Sequence, residues 1–284
     1  MTTTLLLVLL GVFGLAVGSF LNVVIVRVPS EESLLHPPSK CPLCEKPIEK
    51  RDNIPVVSWL LLKGKCRNCG EPIPAGYPLV EIANALLWVA VGVRFNSIPV
   101  IIAFCLLFSV LLVLSVIDLE LYILPNRITY PTMVVSALAI PVLSFMVAEN
   151  PGAAIMWAYI CAVAFAGLLL LTLVGYAAIT RKDGMGMGDV KLAVILGMWL
   201  GWLHPVLPLV ALIVSSFVGI VVGVGFMMKR GKSDYFPFGP SLAIGTIIVV
   251  LAANPIIRFY GFDGEDEGAL RSPVPASFEV PSGR

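Results

Sequence analysis

The sequence predicts an all-α polytopic membrane protein with about eight transmembrane helices and one cytoplasmic loop that carries four cysteines. Three observations lead there. The chain of 284 residues is 58% hydrophobic and 13% charged, with a mean hydropathy of +0.95, unlike soluble globular domains. Its apolar residues fall into eight long runs, most of them near or above the roughly 18 residues that cross a bilayer. Its lysines and arginines gather on one side of those runs, as cytoplasmic loops do. A net charge of +1 argues for no nucleic-acid partner. The partner that composition names is the lipid bilayer.

Taken in order, the first apolar run covers residues 5–26. It is too long for a cleaved signal peptide and lacks the basic start of one, so it reads as a span that stays. Gly11, Gly14 and Gly18 give it a small-residue face on which another helix can pack closely. From Arg27 to Tyr77 the chain turns polar and rich in Pro, Lys and Cys. The later runs are 78–93, 98–117, 128–147, 153–179, 190–203, 206–228 and 241–257. The run 190–203 is short for a full crossing, which needs roughly 20 residues. It reads as a tilted or half-buried helix continuing through His204-Pro205 into the next. Residues 261–284 are acidic, then rich in Pro and Ser. They read as a disordered tail, with an expression scar as another reading of the extreme end. The chain thus divides into a first helix (1–26), a four-cysteine loop (27–77), a membrane domain (78–260) and the tail (261–284).

Orientation follows from the basic residues. With the polar loop in the cytoplasm, fifteen of the nineteen lysines and arginines lie inside, and only Arg94, Arg258, Arg271 and Arg284 lie outside. That asymmetry places both termini outside.

The loop contains Cys41-Pro42-Leu43-Cys44 and, after an interval of 21 residues, Cys66-Arg67-Asn68-Cys69. Two such knuckles can close Cys41, Cys44, Cys66 and Cys69 into a tetrahedral zinc site. The competing readings are two disulfides or redox-active dithiols. A cytoplasmic loop disfavours stable disulfides, so zinc is preferred. Four sulfurs leave no open position for substrate, which makes the metal structural. Cys105 and Cys161 lie in apolar runs and read as small buried side chains.

Two carboxylates carry the chemistry. Asp118 ends an apolar run in Ser115-Val116-Ile117-Asp118, and Asp189 follows the glycine-rich stretch Gly184-Met185-Gly186-Met187-Gly188. Their ordinary readings are a membrane-boundary charge and a helix N-cap. Two crossings separate them, which puts both at the cytoplasmic face, where ionisable groups tend to be functional. If their helices pack together, the pair can share one proton and activate a water as acid and base, the chemistry of aspartic proteolysis. Gly186 and Gly188 would let backbone approach that site, or merely form a turn. Lys191 can bias Asp189 or snorkel to the interface. Phe236-Pro237-Phe238-Gly239-Pro240 says only that proline opens the last helix.

Seven ordered segments then carry a resemblance. They are Gly18-Ser19-Phe20-Leu21-Asn22-Val23-Val24-Ile25, the cysteine knuckles, Asp52-Asn53-Ile54-Pro55-Val56-Val57-Ser58-Trp59-Leu60 and Tyr77-Pro78-Leu79-Val80-Glu81. After them come Ile117-Asp118 through Leu124-Pro125-Asn126, Gly186-Met187-Gly188-Asp189-Val190-Lys191 and Pro237-Phe238-Gly239-Pro240. Together they resemble the bacterial type IV prepilin peptidases, of the GxGD aspartic protease class. The resemblance implies an endopeptidase of the bacterial cytoplasmic membrane that cuts leaders from prepilins and pseudopilins, with its catalytic aspartates at Asp118 and Asp189. It also implies that the region with the zinc loop takes part in N-methylation of the new N-terminal residue from S-adenosylmethionine. Two rival classes remain: a zinc-sensing transporter with the aspartates on an ion path, and an assembly scaffold docking through the loop. A carrier would show paired broken spans in two related halves, and the sequence has no such repeat.

Overall fold

The computed structural model describes residues 3–181, 186–230 and 237–259, with backbone alone at 50 and 224–230. The tail expected to be disordered, and Gly184 and Met185 of the glycine-rich stretch, lie outside the described residues. Regular structure among the described residues is helical, apart from two isolated bridges in the cysteine loop. The helices are α1 (Thr3–Arg27), α2 (Val57–Leu61), α3 (Gly76–Arg94), α4 (Ile98–Leu121), α5 (Asn126–Val147), α6 (Pro151–Thr180), α7 (Met187–Leu203), α8 (Leu207–Arg230), α9 (Gly239–Leu251) and α10 (Ala253–Phe259). The chain separates into two compact units. One holds Met1–Asn96 with Ile101–Val113, the other Ser97–Val100 with Leu114–Arg284.

In the first unit α1 packs along α3, and the small face explains how. A methyl group on Gly14 would stand 2.7 Å from Ala85 Cα, and one on Gly18 would stand 2.7 Å from Glu81 Cα. The two backbones therefore touch where the glycines lie, as the sequence predicts. Helices in hydrocarbon gain from such close packing and from hydrogen bonds across the seam. Asn84 supplies one, its Nδ2 donating to the Gly14 carbonyl at 2.8 Å while its Oδ1 accepts from Ser109 Oγ at 2.7 Å. Trp88 Nε1 donates to the same hydroxyl at 2.9 Å. Every buried polar group in this chain of contacts is thus satisfied.

The second unit is built around α7, which packs against α5, α6, α8 and α9. Nearly every residue of α7 from Asp189 to Leu203 is buried. Gly197 and Gly201, one turn apart, press α7 onto α6. A methyl group at Gly197 would stand 2.6 Å from the Cys161 carbonyl oxygen, and one at Gly201 would stand 2.8 Å from that of Trp157. On the side toward α5, Trp199 Nε1 donates to Ser136 Oγ and Trp202 Nε1 to Ser144 Oγ, both at 2.9 Å. The indoles bury their area while their polar edges are paired. Cys105 in the first unit and Cys161 in the second are buried, as expected.

All eight apolar runs become helices, but they are not eight equal spans. Five helices, α1 and α3 to α6, are long and apolar enough to cross a membrane, and α9 with α10 makes a sixth if that bent pair is counted as one. The bend is 74°, and Pro255 explains it, since its ring cannot continue the hydrogen-bond ladder of α9. The helix α7 is 17 residues long, and it does not continue through His204-Pro205 as expected. It stops at Leu203, His204 is extended at ψ 138°, and α8 begins afresh at Leu207. A residue before proline is pushed out of the helical region.

Candidate functional site

Asp118 sits in the last turn of α4, one turn further into the helix than the apolar run suggests. Tyr122 closes that helix in the left-handed region at φ 59°, its N–H donating to the Asp118 carbonyl at 3.0 Å. The chain then turns through Leu124 and Pro125 into α5. Asp189 is the third residue of α7, not its N-cap; Gly186 holds that position. The Asp189 carboxylate reaches back to the Gly186 N–H, as an acidic group in this place does in a capping box. Both aspartates are buried, with 5% and 4% of their surface exposed.

The point where they meet is Gly239, the first residue of α9. Its N–H is directed at the Asp118 carboxylate. A methyl group on Gly239 would stand 2.5 Å from Asp118 Oδ2 and 3.5 Å from Asp189 Oδ1. The sum of those distances holds the two oxygens within about 6 Å of each other. Three helix ends therefore converge on two carboxylates, and neither forms an ion pair among the described residues. Gly188 makes the approach feasible, because a methyl group there would stand 2.9 Å from Leu124 Cβ. Lys191 does not reach for Asp189. Its Nζ donates to Asn126 Oδ1 at 2.8 Å and lies 4.9 Å from the Tyr130 ring centre, which ties α7 to the start of α5.

In the first unit Cys41, Cys44, Cys66 and Cys69 present their sulfurs within 4.8 Å of one another, and all four are free thiols. The Cys41 and Cys69 sulfurs are 3.8 Å apart. A tetrahedron with zinc–sulfur bonds of about 2.3 Å has edges of about 3.8 Å, so the residues fit the metal. The knuckles are two copies of one turn. Lys40–Ile48 and Lys65–Ile73 share the pattern Lys-Cys-x-x-Cys-x-x-Pro-Ile. In each copy the first cysteine's N–H donates five residues on, Cys41 to Lys46 O at 3.0 Å and Cys66 to Glu71 O at 2.8 Å. The residue after the second cysteine is left-handed in both, Glu45 at φ 56° and Gly70 at φ 75°. The amides of Cys69 and Asn68 lower the Cys66 thiol to about 7, and those of Cys44 and Leu43 lower Cys41. Amides aimed at sulfur favour the thiolate, the form that binds a metal.

Residues 12–95 match the bacterial peptidase A24 N-terminal domain, and residues 105–224 match the type IV leader peptidase family. A prepilin leader peptidase/N-methyltransferase of Aeromonas hydrophila is 39% identical over 280 residues, covering 89% of this chain and 92% of its own length. The chain belongs to the type IV leader peptidase family. Proteins of the same name from Neisseria gonorrhoeae and Bacillus subtilis are 34% and 33% identical, covering 88% and 90% of this chain and 92% and 98% of their own. No solved structure matches it. The relatives' name is that of a peptidase and methyltransferase, and it gives the transporter reading no support.

Two features of this leader peptidase escaped sequence reasoning. Gly239 looked like part of a proline-led helix start, yet it borders both aspartates. The signal was the glycine itself, standing between Phe238 and Pro240, where no turn with positive φ requires it. Glu81 read only as the end of a motif, and its burial at 7% exposure needed the packing of α1 on α3 to become visible.

Proposed function

We propose that the chain is a membrane aspartic endopeptidase that removes the leaders of prepilins and pseudopilins at the cytoplasmic face of the bacterial inner membrane, and that it also N-methylates the residue so exposed. The observation that carries this reading is the convergence of Asp118 and Asp189 on Gly239, two buried carboxylates that no cation among the described residues neutralises. Two carboxylates at such range share one proton. One then accepts a proton from a water held between them while the other donates to the scissile carbonyl. The Gly239 and Gly186 amides fix where the oxygens of Asp118 and Asp189 point. Gly186 and Gly188 support the site by letting α7 start against Leu124, and Lys191 holds α7 to α5. The membrane domain 78–260 carries the cleavage chemistry.

In this reading the four cysteines hold one zinc ion, whose binding free energy folds the loop 27–77. A closed four-sulfur site takes no part in hydrolysis. The methyl donor is S-adenosylmethionine, and the loop belongs to the methylating half. Both termini lie outside, as the basic residues argue. At the cytoplasmic ends of their helices the aspartates draw water without its crossing hydrocarbon.

The deciding experiment incubates the purified protein with a prepilin-type peptide and compares it with Asp189→Asn. Cleavage by the wild type and none by the folded variant supports the reading. Equal cleavage by both removes Asp189 from the mechanism.

A further inference from the structure

Three carboxylates are buried among the described residues: Asp118, Asp189 and Glu81. Two of them face each other. Glu81, in the first unit, has no basic partner among the described residues, although every salt bridge described involves the loop around it. One of its oxygens, Oε2, accepts from the Val56 N–H at 2.7 Å. The other carries no hydrogen bond. That oxygen is not among the fully buried unpaired atoms of the described residues, so it is open to a ligand. A carboxylate with one open oxygen and no described cation beside it can accept charge-assisted hydrogen bonds from a cationic group.

The surroundings sharpen this. Gly18 brings the backbone of α1 against Glu81. One turn further along α1, the buried Asn22 donates its amide nitrogen to the Tyr77 carbonyl at 3.1 Å. Tyr77 lies one turn before Glu81 on α3, so the two polar side chains are neighbours on the seam. Val56, which Glu81 grips, has φ 60° and ψ −48°. That conformation is strained for a β-branched residue, and strain of this kind collects at ligand clamps. One carboxylate and one amide make a poor metal site but suit a primary ammonium, which brings three N–H donors and a single charge.

We propose that Glu81, with Asn22 beside it, binds the free α-amino group of the processed substrate and orients its nitrogen for methylation. The proposal rests on the N-methyltransferase reading above. In that transfer the amine first gives one proton to water. Its lone pair then bonds the methyl carbon of the donor, and the carbon–sulfur bond breaks onto sulfur, turning a sulfonium into a thioether. Glu81 here is a binding residue, and no proton is routed through it.

Glu81→Gln separates this role from anchorage. Glutamine keeps the size and an oxygen for the Val56 N–H, while it removes the charge and turns the open oxygen into an NH2 donor. The probes are two peptides that begin at the mature N-terminus, one with a free α-amine and one acetylated. Wild-type protein should bind the free amine about ten- to a hundredfold more tightly than the acetylated peptide, the range of a charge-assisted hydrogen bond. The variant should lose that preference and show a correspondingly raised KM for methyl transfer from S-adenosylmethionine, while leader cleavage of an uncut peptide stays as in the wild type. If Glu81→Gln retains the preference, Glu81 is an anchor for the loop and the proposal is overturned. A wild type that transfers no methyl group counts against the N-methyltransferase reading, and the binding comparison still decides the subsite. Equal binding of both peptides by the wild type overturns it.

Discussion

In the cysteine loop each knuckle closes its own turn within nine residues, and the second repeats the first 25 residues later. At the aspartate pair the contributing residues are Asp118, Asp189 and Gly239, which lie 71 and 50 residues apart on the ends of three helices. The loop uses local hydrogen bonds within each turn, and its two turns bring four sulfurs within 4.8 Å of one another. The pair has no local order of its own. Asp189 is where it is because α7 is pressed onto α6 through Gly197 and Gly201, and onto α5 through Trp199 and Trp202. Asp118 stands at the end of α4, where Tyr122 closes the helix and Gly239 comes against its carboxylate. A metal site of this kind can be disturbed without moving the rest of the chain, whereas a site made of converging helix ends is sensitive to any change in how they pack.

The largest expected effect breaks the pair itself. Asp118→Asn or Asp189→Asn should lower leader cleavage by a factor of about a thousand or more, because acid and base act as a unit. The folded state, followed by helix content and detergent-solubilised size, should stay. Glu120→Gln, at an exposed position two residues beyond Asp118, is the control expected to cleave normally. A single aspartate variant with near-normal turnover ends the dyad assignment.

Next comes Gly239→Ala. The added methyl group falls 2.5 Å from Asp118 Oδ2, so the carboxylate must move by an ångström or so. Displacement of that order costs about a hundredfold in rate. The loss should fall on kcat, with KM little changed, since the substrate's own contacts are untouched. Normal kcat in the alanine variant would mean the carboxylates tolerate a looser geometry than the structure displays.

These two sites also mark where sequence reasoning succeeds and stops. The clustering of the four cysteines, the helical class and the close face of Gly14 and Gly18 were legible because each depends on spacing within one segment or on a run of apolar residues, and the two aspartates stood out as carboxylates at the ends of such runs. Gly239 and Glu81 were not, because what matters about them is which distant backbone lies against them. The end of α7 at Leu203 was open to reading, since Pro205 forbids continuation. The apolar residues on both sides of it concealed the break. The count of spans suffered similarly: α7 is as apolar as its neighbours, but protein covers it.

A smaller effect should follow loss of the metal. Cys66→Ser, or a chelator, should leave the loop 27–77 open to limited proteolysis while cleavage at the aspartates falls severalfold at most. Metal analysis of the wild type should find about one zinc per chain, as a single four-sulfur site requires. A zinc-free protein with an unchanged digestion pattern would show that the two turns hold together without a cation.

The smallest effect concerns Asp52 and Arg67, which join the linker before α2 to the second knuckle. Arg67 Nε donates to Asp52 Oδ2 at 2.7 Å and Nη2 to Oδ1 at 2.6 Å. The guanidinium's hydrogen bonds hold the Asp52 carboxyl below its ordinary range, against the opposing effect of desolvation. A carboxylate whose folded-state pKa is lowered contributes fully above its unfolded value, and that contribution fades as pH falls through the folded one. Asp52→Asn should therefore speed digestion of the loop at neutral pH, and the gap between variant and wild type should close in acid. Solvent-exposed pairs are worth little even with bidentate geometry, so the neutral-pH change should be about threefold or less. Since the cysteines are common to both proteins, their protonation affects both alike, and the comparison isolates the pair. A gap that persists unchanged into acid would assign the effect to lost packing of Asp52 rather than to its charge.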